Sequence, residues 1–298
     1  MAVNYRWGFG RRSVQDYLDQ WPVSGLLIAR QGRVWSDHYR FGRDATMRLT
    51  SWSMAKSVTS LLVGIALDQG LIRSLDDLPQ DYVPELQGTL HGQIPLRHLL
   101  NMSSGTDVNR VVREWRGKLE APGVRYNYNE LCPLTMGMLL RAVSGGSLAQ
   151  FAQTQLWQPM GAEADASWLT DALGREYNCV GFAARLRDWA RLGQLVAQQG
   201  EMGGRQIISK AWLSDCASHG PQDAQVRYGT MRADMGYKNF FWHPRPSGTW
   251  LMMNGHHGQR VLVDRASQTV LVQTALSHEG PWQRELFALF EGAIAAAG

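Results

Sequence analysis

Cysteine is scarce in this 298-residue chain: Cys132, Cys179 and Cys216 are odd in number and far apart. No CxxC pair and no Cys/His ligand spacing occurs, so neither a disulfide framework nor a structural zinc site is expected. Buried free thiols in a reducing compartment are expected instead. Charge of one sign is also lacking. The net charge is only +4, and its basic groupings are Arg11-Arg12 and the scattered Arg185, Arg187 and Arg191. Nucleic-acid binders gather positive charge into a stripe, so no nucleic-acid partner is expected. Long apolar runs are missing as well. The longest, near Leu61 to Leu67, is too short for a bilayer, and MAVNYRWGFGRRSVQDYL lacks the apolar core of a secretory signal. These absences predict a cytoplasmic protein without a membrane partner.

What is present is ordinary globular material, 44% hydrophobic, in a chain long enough to bury a large core. SGLLIARQGRVWSDHYRFG (24–42) reads as a hairpin about Gln31-Gly32. From Ser53 to Gln69, Met54, Val58, Leu61, Leu62, Ile65 and Ala66 recur at helical spacing, and Gly70 supplies a stop. Residues 71–176 carry helical patterns broken by turns. Phe182, Leu186, Trp189, Leu192 and Leu195 then form a helical stripe. TWLMMNG, QRVLVDR and QTVLVQTAL read as three strands, with a turn at Asp264 to Ser267, and WQRELFALFEGAIAAAG reads as a closing helix. Strands at both ends with helices between predict a mixed α/β (α+β) fold, with one sheet built from the two termini and a helical region inserted.

Within that frame SWSMAK (51–56) puts Ser53 three residues ahead of Lys56 at a helix start. Positions i and i+3 share a helix face, so the hydroxyl and the amine would be neighbours. A serine needs a base in contact to become a nucleophile. Lysine can serve if desolvation and the helix N-terminus lower its pKa. The free N–H groups of the same helix end can hold an oxyanion. The competing reading makes Ser53 a helix cap and Lys56 an ordinary exposed residue. Two further stretches supply partners. PGVRYNYNE (122–130) presents Tyr126 and Tyr128 as proton relays, against a packing role for either. NGHHGQRVLVD (254–264) sets His256 and His257 between glycines at an expected strand start. Such an edge could bind an extended substrate. A metal is disfavoured there, because adjacent histidines do not easily share one ion and no HExxH or carboxylate spacing accompanies them.

Taken together these stretches resemble the penicillin-recognising serine hydrolases, which include the serine β-lactamases with their SxxK signature. SWSMAKSVTSLLVGIALDQGLI, LDDLPQDYVPEL, IPLRHLLNMSSG, PGVRYNYN, LWQPMGAEADASWLTD, GFAARLRDWARLGQLVAQQG and GHHGQ follow the order and spacing of the class C-like esterase branch. MGAEADASWLTD and RLRDWARLG are most similar to the subgroup of 6-aminohexanoate-dimer (nylon-oligomer) hydrolases. The likeness runs from about residue 24 to the C-terminus.

The resemblance implies a β-lactamase-like fold, with an α/β lobe at about 1–70 and 177–298 and a helical lobe at about 71–176. It implies Ser53 as the acylated nucleophile, Lys56 as its proton acceptor and Tyr128, rather than Tyr126, as the acid/base tyrosine. It puts the oxyanion hole at the N–H groups of Ser53 and Gln259, and His256-His257-Gly258 in place of the Lys-Thr-Gly of β-lactamases. Asn129, Glu130 and Trp168 join those three as expected substrate contacts, Trp168 as the wall of an apolar pocket. Trp52, Trp242, Trp250 and Trp282 are further candidates for such a wall. No cofactor or metal is implied.

Two departures bear on substrate. Glu130 stands where the family's tyrosine motif ends in Asn, so it would repel a substrate carboxylate or pair with Lys56. His256 replaces a permanently charged lysine. Both favour small esters or amides over penicillin. The alternatives are a D,D-peptidase or β-lactamase-type amidohydrolase, and a non-catalytic sensor or scaffold.

Overall fold

In the computed structural model the described residues are 3–106, 120–231, 235–246, 248–277 and 282–296, with the backbone alone at 282 and 283. The centre is a seven-stranded antiparallel sheet. Its order is Gly236–Lys238, Phe241–His243, Trp250–Gly255, Gln259–Asp264, Thr269–Ala275, Val23–Arg30 and Arg33–Tyr39. The chain termini therefore meet in one sheet, with Thr269–Ala275 from the C-terminal part paired to Val23–Arg30.

Both faces of this sheet are covered, which explains the unbroken apolar runs in its strands. Leu27, Ala29, Val261, Val263, Val270 and Val272 face the larger core beneath the helical region. Their alternates Leu26, Ile28, Leu262 and Leu271 face a second core with Tyr17, Leu289 and Phe290. That second core holds an N-terminal hairpin, Asn4–Trp7 with Gly10–Ser13, which the sequence pattern does not reveal. Its Tyr5 and Trp21 both donate to the buried Glu285 of the closing helix Trp282–Ala295, at 2.8 Å each. Arg12 completes the carboxylate's shell at 2.9 Å.

The helix Met54–Asp68 lies inside the larger core, buried from Met54 to Ala66. A helix apolar on most sides is an interior helix. Its polar residues are satisfied inward: Ser57 Oγ donates to the Phe240 carbonyl at 2.7 Å, and Thr59 Oγ1 to Asn178 at 3.1 Å. Gly70, at φ +70°, takes the left-handed turn that ends it.

One expectation fails here. Phe182 is not on the helical stripe with Leu186 but in a strand, Phe182–Ala184, which pairs with Leu49–Thr50 and Ser167–Trp168. The helix begins only at Leu186, after extended Arg185. Phe182 is buried edge-on to Trp157, Trp168 and Trp189, and that packing overrides the local pattern. Between 71 and 176 the described α-helices are Leu96–Leu100, Leu131–Ser144 and Leu148–Ala152, the last continued by a π-helical turn Gln153–Trp157, with short 3₁₀ turns before them. Residues 107–119 of that expected helical stretch lie outside the described residues. Among the described residues no single helix is long and apolar enough to cross a membrane.

Candidate active site

Ser51 fixes the approach to Ser53. Its N–H donates to the Phe182 carbonyl at 2.8 Å, and its hydroxyl to the Trp52 carbonyl at 2.8 Å. Gly255 packs so closely on Ser51 that a Cβ there would stand 2.2 Å from the Ser51 carbonyl oxygen. Trp52 then turns through the left-handed region at φ 45°, a conformation that costs a bulky residue on the order of 1–3 kcal/mol. The next residue, Ser53, stands at the cap position of the helix yet makes no capping bond with its side chain. No acceptor among the described residues takes its N–H. The capping role is therefore unfilled, and the hydroxyl is free for another partner.

That partner is Lys56. Its Nζ lies 3.0 Å from Ser53 Oγ, 3.0 Å from the Cys179 carbonyl oxygen and 2.7 Å from Glu130 Oε2. Its side chain is 1% exposed, whereas that of Glu130 is 46% exposed. Tyr128 stands beside both groups: Lys56 Nζ lies 5.0 Å from its ring centroid, and Lys56 and Ser53 both draw its phenol pKa down. Burial draws the lysine pKa down, but the Tyr128 oxygen and the Glu130 carboxylate outweigh it and hold the ammonium above its ordinary value. This corrects the expectation of a depressed lysine. Burial likewise raises the Tyr128 phenol, against the opposing pull of Lys56 and Ser53.

Tyr126 is elsewhere: its hydroxyl is buried without a hydrogen-bond partner, and its ring packs on Tyr237 and Trp242. Those two residues also flank Tyr128, at 6.2 and 6.0 Å between ring centroids. They face each other across the hairpin Gly236–Lys238 and Phe241–His243. Its turn residues Asn239 and Phe240 have φ of 48° and 62°. This turn is tied down by Asn101 Oδ1, which accepts from the Asn239 N–H at 3.1 Å, and by the Leu100 carbonyl. Tyr237 and the Cys179 carbonyl were missed by sequence reasoning. A short hairpin with non-glycine turn residues carries little signal, and a carbonyl carries none.

Three other expected contacts change meaning. Asn129 is buried with its amide used up: Oδ1 accepts the Cys132 N–H at 3.1 Å, capping the helix Leu131–Ser144, and Nδ2 donates to the Asn127 carbonyl at 3.1 Å. It is a cap rather than a substrate contact. His256-His257-Gly258 is a tight turn joining Trp250–Gly255 to Gln259–Asp264, not the start of an open strand edge. His257 and Gly258 take φ of 53° and 87° to make it. Consequently the Gln259 N–H donates across the turn to the His256 carbonyl and is not a free oxyanion donor. The two histidine rings instead meet Trp52 edge-on, at 5.5 and 5.2 Å.

Trp168 is half-buried, its indole N–H without a partner, with its ring 4.7 Å from Phe182. It lines a mostly apolar groove of about 430 Å³ with Trp52, Leu169, Val180 and Gly181. The groove's walls are thus chain neighbours of Ser53 and of Cys179. Trp250 packs on Phe290 in the second core, and the Trp282 side chain lies outside the described residues. The three cysteines are free and buried. No group of three or more His, Cys, Asp or Glu among the described residues is arranged to hold a metal ion.

Comparison with known proteins agrees with this architecture. The beta-lactamase family model matches residues 11–285. The 6-aminohexanoate-dimer hydrolase of Paenarthrobacter ureafaciens is 22% identical over 291 residues, covering 87% of this chain and 74% of that protein. A Bacillus anthracis structure assigned as a 6-aminohexanoate-dimer hydrolase superposes with a TM-score of 0.85 at 21% identity, covering 99% of this chain and 84% of that one. EstCE1, a hydrolase with promiscuous acyltransferase activity, superposes at 0.76 with 17% identity, covering 94% and 96%.

Proposed function

The chain belongs to the beta-lactamase family of hydrolases, and from that premise we propose that it is a serine hydrolase of small esters or amides, working through an acyl-enzyme on Ser53. One observation carries the reading: a serine hydroxyl at a helix start, unused as a cap, lies 3.0 Å from the Nζ of a lysine with no solvent access. A cap serine and a solvated lysine would show the reverse of both features.

In the proposed mechanism Ser53 Oγ attacks the substrate carbonyl. Its proton passes to Lys56 and, through the Tyr128 hydroxyl, to the leaving group. The Ser53 N–H, at the positive end of the helix Met54–Asp68, steadies the oxyanion. Water, activated by Tyr128, then releases the acid. Each proton relay contributes ~10²–10⁴ in rate and the oxyanion donor about 10²–10³. The groove between Trp52 and Trp168 receives an apolar substituent of the substrate. Two relatives support acyl chemistry by name, one as a hydrolase of 6-aminohexanoate dimer and one as a hydrolase with acyltransferase activity.

The test is labelling by a fluorophosphonate together with turnover of p-nitrophenyl esters of graded chain length, 6-aminohexanoate dimer and nitrocefin. Wild type is expected to label once, at Ser53, and to prefer esters or amides over nitrocefin. Ser53→Ala should lose both label and turnover. Normal turnover by folded Ser53→Ala protein would overturn the assignment, and the absence of label and turnover in wild type would favour a non-catalytic sensor.

A further inference from the structure

We propose that Glu130 is the proton acceptor that converts buried Lys56 to a neutral amine before Ser53 attacks. This rests on the acyl-enzyme reading above and adds a fourth working group to it. Lys56 Nζ has three close oxygen partners: Ser53 Oγ and the Cys179 carbonyl at 3.0 Å, and Glu130 Oε2 at 2.7 Å. An ammonium directs its three N–H groups at all three, Ser53 included, and has no lone pair to take the serine proton. A neutral amine serves the same three contacts differently. Once the N–H aimed at Glu130 has given up its proton, rotation about Cε–Nζ turns the lone pair to the Ser53 O–H and leaves the two N–H groups to Cys179 and Glu130. One proton separates the resting arrangement from the working one.

That proton has few places to go. Lys56 is 1% exposed, so water does not reach it directly. The Cys179 carbonyl does not hold a proton, and Ser53 is the group to be deprotonated. Tyr128 is a neutral phenol in this pocket, its pKa held up by burial. The Cys179 thiol, the other titratable group against Glu130, is pushed up to about 11 by burial and is neutral too. Cys132 lies further off and is pushed up to about 11 for the same reason. Glu130 alone among these both takes a proton and reaches solvent: its Oε2 is buried against Lys56, while its side chain as a whole is 46% exposed. It is also free of structural duty: it stands at the cap position of Leu131–Ser144 but makes no capping bond, because Asn129 Oδ1 does that work.

The step balances. An N–H bond of the Lys56 ammonium breaks, an O–H bond forms on Glu130 Oε2, and an ammonium–carboxylate pair becomes an amine and a carboxylic acid. A substrate seated over Glu130 drives it by excluding water, since a dry site favours the neutral pair over the ionic one. Lys56 then takes the Ser53 proton as Oγ bonds to the carbonyl carbon and passes it through Tyr128 to the leaving group, and Glu130 returns its own proton to Lys56 as product leaves and water re-enters, which restores the ammonium–carboxylate pair.

The experiment follows the p-nitrophenol burst between about pH 5 and 10 in wild type, Glu130→Gln, and Glu130→Ala with and without formate. Glutamine keeps an acceptor for the lysine N–H but takes no proton. Its acylation rate at neutral pH is expected to fall ~10²–10³-fold and to recover toward alkaline pH, where hydroxide strips Lys56. Formate should restore Glu130→Ala at least about tenfold and leave Glu130→Gln unchanged. A Glu130→Gln rate within about threefold of wild type with an unchanged pH profile would overturn the proposal. So would equal losses in both variants, without rescue and without a shifted profile, since that pattern marks positioning alone. Phosphonate labelling of wild type at Ser53 in the same series separates the two ideas. Labelled wild type with normal Glu130 variants sinks only this proposal, while unlabelled wild type sinks the acyl-enzyme and this step with it.

Discussion

Lys56 and Lys238 are both buried, and each meets a carboxylate at 2.7 Å. Their surroundings differ in kind. Lys238 is clamped by two carboxylates, Asp215 at 2.7 Å and the buried Asp223 at 2.9 Å. Those anions are themselves committed: Asp215 accepts from the Asn239 amide at 2.8 Å and Asp223 from Asn101 at 3.0 Å. Lys56 has one carboxylate, half in water, and a hydroxyl that no other duty claims. Burial of a lysine is therefore no mark of catalysis by itself. What sets Lys56 apart is an uncommitted hydroxyl within reach and a counter-ion whose side chain is partly exposed.

The sharpest way to break this contrast is to remove each lysine while keeping its volume. Lys56→Met is expected to lower turnover by about 10²–10⁴-fold. Its thermal unfolding should move little, by less than about 1.5 kcal/mol, because the Glu130 side chain is 46% exposed and its stranded Oε2 has only a short turn to reach water. Turnover within about tenfold of wild type would remove Lys56 from the chemistry. Lys238→Met should do the opposite. It strands Asp223, whose side chain is 2% exposed, and should cost ~3–5 kcal/mol in urea unfolding. Phosphonate labelling of Ser53 in the folded fraction should stay within about tenfold of wild type. Loss of labelling at full stability would mean that the two lysines share one role.

A smaller effect sharpens the comparison by pH. His243, behind the same hairpin, donates from Nε2 to the Cys216 carbonyl at 2.7 Å, and burial chiefly depresses its pKa to about 3. A folded value below the ordinary 6.5 means its contribution to stability is present above 6.5 and is lost as pH falls toward about 3. Lys56 acts with the opposite sign. Its raised folded value gives stability that is present below the ordinary 10.5 and lost as pH rises beyond it. Melting temperature should therefore fall at both extremes, and His243→Gln should flatten the acid side while leaving the alkaline side alone. Half-buried His91, depressed to about 4 by desolvation, keeps some acid slope in that variant. An unchanged acid slope would show that His243 does not contribute.

Legibility followed sequence range. The hairpin at Gln31-Gly32, the helix Met54–Asp68, the three C-terminal strands and the closing helix were readable, because each declares itself over a few neighbouring residues. Ser53 and Lys56 were readable as a pair for the same reason, being one helical turn apart. What went unread depended on distant chain. The N-terminal hairpin is held by Glu285 at the far end. Phe182 leaves its helical stripe because three tryptophans enclose it. Asn129 looked like a ligand contact and is a cap, and the Gln259 N–H looked free and is tied into a turn.

The sequence by itself determined the order of elements, the apolar runs of a sheet covered on both faces, and a hydroxyl and an amine on one helix face. Those are properties of spacing, and spacing is local. Tertiary structure alone decided the charge on Lys56. Burial from the surrounding core opposes it, Glu130 and Tyr128 from a segment more than seventy residues away restore it, and Cys179 from farther still holds it in place. A pKa is set by every charge and dipole within a few ångströms, and only folding brings those together.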